Sequence, residues 1–113
     1  MNEQEERAEE ERLARIEETL EHSIEAAIAD GWKMAPVVLV ARNARRCCAL
    51  GALVRDISPG DSGIYVAAFE RLGVSGREGM AIIDGFDNPT RRHSAEDEAL
   101  FNIGARLHHR YIK

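Results

Sequence analysis

The apolar residues of the first part of the chain fall at Leu13, Ile16, Leu20, Ile24 and Ala27. Their spacings alternate between three and four residues, which places all five on one stripe of a helix. The pattern predicts a long helix over 3–29, with Ile28 widening the stripe at its end. Asp30-Gly31 reads as its stop, because glycine suits the left-handed conformation just past a helix terminus. Upstream of Leu13 the stripe disappears. The first twelve residues hold six Glu and two Arg, and no large apolar residue beyond Met1. That stretch is expected to be a frayed, solvated helix or disordered, an acidic arm at 1–12 ahead of a domain at 13–113.

Beyond GWKMAP the period changes. Pro36 disfavours helix before it, and Val37-Val38-Leu39-Val40 is short and β-branched. One short extended segment is expected near 37–41, lying across helices or pairing with a second copy of the chain, since no clear second strand follows. Residues 45–57, RRCCALGALVRDI, read as a buried helix with Cys47, Leu50, Leu53, Val54 and Ile57 on one face. On that wheel Cys48 falls on the more exposed side, towards Arg55. Gly51 inside a helix costs about 1 kcal/mol against alanine, so another backbone is expected to come close there, that of the last helix near Gly104.

SPGDSG (58–63) is a turn by composition. Tyr65, Ala68, Phe69 and Leu72 return to helical spacing. Ser75-Gly-Arg-Glu78 has the form of a capping box and opens a short helix to about Asp84. GFDNPT (85–90) breaks it, and Ser94 to Asp97 opens a last helix whose apolar face holds Leu100, Ile103, Gly104, Leu107 and Tyr111. The expected fold is therefore mainly α: a small single-domain bundle of about four to five helices.

Composition narrows the class without changing that picture. The 113 residues are 44% hydrophobic and 31% charged, which suits one globular domain with a modest core. No apolar run approaches the ~20 residues of a membrane span. The N-terminus is acidic where a signal peptide starts basic, so a cytoplasmic location is expected. The net charge of −5 is unevenly spread. Residues 1–30 carry ten Glu and one Asp against three Arg, and the remainder carries nine acids against twelve bases. This balance argues against nucleic acid as a partner.

Candidate chemistry is sparse. Neighbouring cysteines make a strained disulfide, and with no third Cys there is no disulfide framework. Adjacent cysteines also lack the spacing that lets two sulfurs converge on zinc. His22 lies on the polar side of the first helix, His93 precedes a helix, and His108 and His109 point ~100° apart. No metal and no cofactor are expected. Cys48 and His108 are the weak candidates for a nucleophile–base pair, because Cys48 follows Arg45-Arg46 at a helix start and His108 sits beside an apolar face. Cys47 reads as core. The glycines of GVSGREG (73–79) lack the Lys-Ser/Thr of a phosphate loop. Arg42, Arg45, Arg46, Arg91, Arg92 and His93 form the candidate binding set for an anionic surface; equally, they could neutralise the acidic first helix.

GW (31–32), RRCCALGAL (45–53) and GFDNP (85–89) ahead of an amphipathic last helix resemble a class of small proteins from actinobacteria, bacteriophages and other mobile elements. Members show a Gly-Trp after the first helix, a Cys-Leu-Gly-Ala-Leu-like core segment, and an Asn-Asp turn before the last helix. The resemblance spans 25–112 and departs from the class at Asp87-Asn88. It implies a phage or mobile-element accessory protein, of the kind that inhibits or regulates host machinery, but no activity or residue role. The expected function is a non-enzymatic interaction module with a protein partner or a second copy. The alternative is a small Cys-dependent enzyme or ligand-binding protein using Cys48, His108 and nearby arginines.

Overall fold

The computed structural model describes residues 3–37, 39–41, 43–57, 63–91 and 97–112. Helix α1 (Glu3–Ala29) buries Ile16, Leu20, Ile24 and Ala27, the stripe its spacing predicts. Residues 3–11 are helical and exposed. At about 1.5 Å per residue α1 is roughly 40 Å long, and it dominates an outline of 48 × 26 × 24 Å. Its stop is a paired cap. Gly31 takes φ 90°, Gly31 N–H donates to Ile28 O (3.0 Å) and Trp32 N–H donates to Ala27 O (2.9 Å). The same device ends α2 (Ile64–Leu72), where Gly73 takes φ 76° and Val74 N–H donates to Phe69 O (3.0 Å).

Two corrections concern the middle of the chain. The extended segment is not alone: β1 (Lys33–Met34), β2 (Val40–Ala41) and β3 (Arg46–Cys47) form a three-stranded sheet in the order β1-β3-β2. β3 pairs parallel with β1 and antiparallel with β2. The predicted helix over 45–57 is therefore absent. Cys47 O accepts from Ala35 N–H (3.0 Å) instead of from a later turn of its own segment. Arg45 sits at φ 50°, which a helix cannot use, and only Gly51–Val54 coil, as a 3-10 helix.

Gly51 is also placed differently from expectation. An added Cβ would lie 1.6 Å from Leu39 O, so the close neighbour is the β2 approach and not the last helix. Gly104 does mark a tight crossing, with α3 (Gly76–Asp87): its Cβ would lie 2.1 Å from Ile82 O, and that of Gly85 1.9 Å from Phe101 O. α3 and α4 (Glu98–Tyr111) thus meet backbone to backbone, and bury Ile82, Phe86, Ile103 and Leu107 between them and the rest of the core.

α3 opens with the predicted capping box. Ser75 Oγ accepts from Glu78 N–H (3.2 Å), and Glu78 Oε1 accepts from Ser75 N–H (2.9 Å). Arg12 then clamps the same carboxylate with two bonds of 2.8 and 2.9 Å, tying the exposed part of α1 to α3. The Arg12 bonds hold the Glu78 carboxyl down at about 2. The cap expected at Ser94 lies outside the described residues.

Candidate functional site

The thiols are closed off. Cys47 and Cys48 are 0% and 3% exposed, which corrects the expectation that Cys48 faces outward. The reason is the missing helix. Cys48 N–H donates to Leu39 O (3.3 Å), and its side chain lies with Val37 and Leu39, where Sγ accepts from Gly51 N–H (3.4 Å). Burial pushes the Cys48 thiol up to about 11 and the Cys47 thiol up to about 12. Both move away from the thiolate that nucleophilic chemistry needs.

His108 is engaged elsewhere. Its Nδ1 lies 2.6 Å from Phe86 O, and its ring meets the Phe86 ring edge-on at 5.9 Å. A carbonyl only accepts, so Nδ1 carries the proton and the imidazole staples α4 to α3. No bond between Cys48 and His108 is present among the described residues. No group of three His, Cys, Asp or Glu that could hold a metal ion is present among them either.

Of the six candidate binding residues, Arg45, Arg46 and Arg91 fall within the described residues. Arg42, Arg92 and His93 lie outside the described residues. Arg45 reaches the end of α1 and donates to Asp30 O (3.0 Å). Arg46 is exposed on β3, and Arg91 stands 3.9 Å from Asp84 on α3. Among the described residues, carboxylates of α1 find partners on α4, outside this set. Arg106 Nε donates to Glu17 (3.1 Å), Arg110 pairs with Glu21 (3.3 Å), and Tyr111 donates to Glu25 (2.7 Å). Glu17, Glu21 and Glu25 step by four along α1, a spacing readable in the sequence, and meet Arg106, Arg110 and Tyr111 of α4.

The feature that stands out is apolar. Val37, Leu39, Tyr65, Ile83 and Asp87 close over Cys48 around a residual cavity of about 20 Å³. Above that closed floor the surface is greasy. Val37 is 77% exposed, Met80 48% and Tyr65 46%. Tyr65 packs on Phe69 at 6.4 Å between ring centroids, and Phe69 covers Gly79 of α3, one residue before Met80. Met80 is one turn from Ile83, and Asp84 and Asp87 continue the same strip of α3.

Val37 is held there against its preference. A β-branched residue at φ 71° is strained by about 1–3 kcal/mol. Its N–H is anchored by Asp87 Oδ1 at 2.7 Å. Asp87 is half-buried, and burial raises its carboxyl above the usual range despite that bond.

Comparison with protein-family models, with curated proteins and with solved structures finds no match to this chain. What the fold defines is a small, mainly helical domain with a small three-stranded sheet. Among the described residues no helix is long and apolar enough to cross a membrane.

Proposed function

We propose that this chain is a non-enzymatic interaction module whose contact surface is the apolar patch of Val37, Tyr65, Phe69 and Met80. The observation that carries the reading is Val37: a strained, β-branched side chain, pinned by a carboxylate, pointing into solvent beside an exposed tyrosine. Strain of that kind is retained where the surrounding structure over-determines it, and it is typical of recognition sites. The partner is a protein segment that presents an apolar side chain next to Lys or Arg. Asp84 and Asp87 border the patch, and a cation brought beside Asp87 would favour the charged form that burial disfavours. The buried, protonated thiols and the engaged His108 favour this reading over a Cys-dependent enzyme. Regulation of a host protein, as the resemblance implies, would use such a surface.

Selection of peptides from a displayed random library tests the proposal. The enriched peptides should carry an apolar residue beside a basic one. They should bind Val37→Gly at least tenfold more weakly, about 1.4 kcal/mol, while that variant melts no lower than wild type because glycine accepts a positive φ. Arg45→Ala should bind them as wild type does. Failure to enrich any peptide, or equal binding by Val37→Gly, would overturn the proposal.

A further inference from the structure

A second surface, at the far end of α1, has different chemistry. An open cleft of about 520 Å³ is lined by Asp30, Trp32, Arg45, Arg55 and Asp56. Three elements build it: the glycine stop of α1, the turn that leads into β3, and the residues after the 3-10 helix. Lys33 N–H donates to Arg45 O (2.8 Å), so the parallel β1–β3 pairing sets Trp32 and Arg45 side by side.

The charges in the cleft are mostly matched. Arg55 Nη1 donates to Ala52 O (2.6 Å), and Nη2 pairs with Asp30 Oδ2 at 3.0 Å. Asp56 accepts from Arg71 at 2.8 and 3.3 Å. Arg45 is different. Its one described bond goes to a neutral carbonyl, Asp30 O, while the two carboxylates of the cleft, Asp30 and Asp56, pair with Arg55 and Arg71. The guanidinium is also placed in advance. Arg45 sits at φ 50°, and the missing side chain of Gly31 leaves it room, since a Cβ there would come within 3.2 Å of Nη1.

A guanidinium with one Nη engaged still presents a fork of N–H groups matched to the two oxygens of a carboxylate. Trp32, half-buried, also lines the cleft, and its indole is a flat apolar group. We infer that this cleft binds a carboxylate carried next to a flat ring, with Arg45 holding the carboxylate and Trp32 stacking on the ring. The ligand is either a free aromatic acid or the carboxyl-terminal residue of a peptide.

Trp32 is the one tryptophan of the chain, so its fluorescence reports on the cleft directly. Titrate the full chain with N-acetyl-phenylalanine, with its neutral amide, and with a tripeptide ending in phenylalanine. The free acid should quench or shift the emission saturably, and the amide should bind at least tenfold more weakly. A tripeptide binding more tightly than the single residue assigns the peptide source, and equal or weaker binding assigns the free acid. Arg45→Gln should lose at least tenfold in affinity and Arg46→Gln less than twofold, each with an unchanged circular dichroism spectrum. Equal binding of acid and amide to the wild-type chain overturns the inference without recourse to any variant. So does the absence of a saturable change, or wild-type affinity in a folded Arg45→Gln.

Discussion

Replacing Gly51 by alanine probes the packing under the proposed contact surface. The added Cβ would lie 1.6 Å from Leu39 O, 2.7 Å from Leu39 C and 3.0 Å from Cys47 Cβ. An ordinary contact is ~3.5 Å, so the Leu39 backbone must retreat by roughly 1.5–2 Å. Overpacking of this kind costs about 1–3 kcal/mol. The retreat also breaks Cys48 N–H to Leu39 O, now 3.3 Å, which costs about 0.5–1.5 kcal/mol more. Against this, alanine gains at most about 1 kcal/mol over glycine in a helical turn. The net is a loss of about 2–3 kcal/mol, or roughly 8–20 °C in melting temperature for a domain of this size. Gly76→Ala is the control, because nothing lies within 4 Å of its added Cβ. Thermal melts followed by circular dichroism measure both. A Gly51→Ala variant that melts within about 2 °C of wild type would refute the placement of Leu39 over Gly51.

Other predictions follow from the same contacts. The Glu78 carboxyl is held at about 2 in the fold, below its ordinary value, so its stabilisation is complete above about pH 4.5 and is lost as pH falls towards 2. Arg12→Ala should lower stability by about 1–2 kcal/mol at neutral pH, allowing for solvent screening of a partly exposed pair. Denaturant melts across that window should show the gap from wild type closing; a gap independent of pH would contradict the clamp. Both thiols should resist a thiol reagent in the native state at mildly alkaline pH, reacting about a hundredfold slower than in denaturant. Rapid native labelling of Cys48 would show that the floor of the patch is open. Asp87→Asn keeps an oxygen for Val37 N–H and removes a charge that burial disfavours, so it should melt at or above wild type, whereas Asp87→Ala should lose about 1–2 kcal/mol. Equal melting of the two variants would show that the Val37 anchor contributes nothing.

The parts of the fold legible in the sequence are those fixed by near neighbours. The α1 stripe, the Gly31 stop and the Ser75–Glu78 box each depend on residues within about a turn of one another. The middle was misread for the opposite reason. Strands of two residues have no period of their own, and β3 exists because β1 and β2 accept it from opposite sides. Short apolar runs such as CCALGALV fit a helical wheel equally well, and that wheel gives Cys48 an exposure it lacks. Arg45, an expected anion-binding residue, lines a cleft apart from the patch. Val37, Tyr65 and Asp87 share no signal in the sequence. They lie in an extended run, a short helix and an expected helix break, and only the folded chain sets them over one cysteine.

The central claim is that recognition takes place on the Val37–Tyr65–Met80 patch. Titrating the ¹⁵N-labelled chain with a peptide enriched by selection, and following backbone amide shifts by NMR, tests it residue by residue. The account predicts the largest shifts at Val37, Tyr65, Phe69, Met80, Ile83 and Asp87, with residues 3–11 of α1 and the outer face of α4 unmoved. Shifts concentrated on α1 or α4, with the patch unchanged, would contradict it.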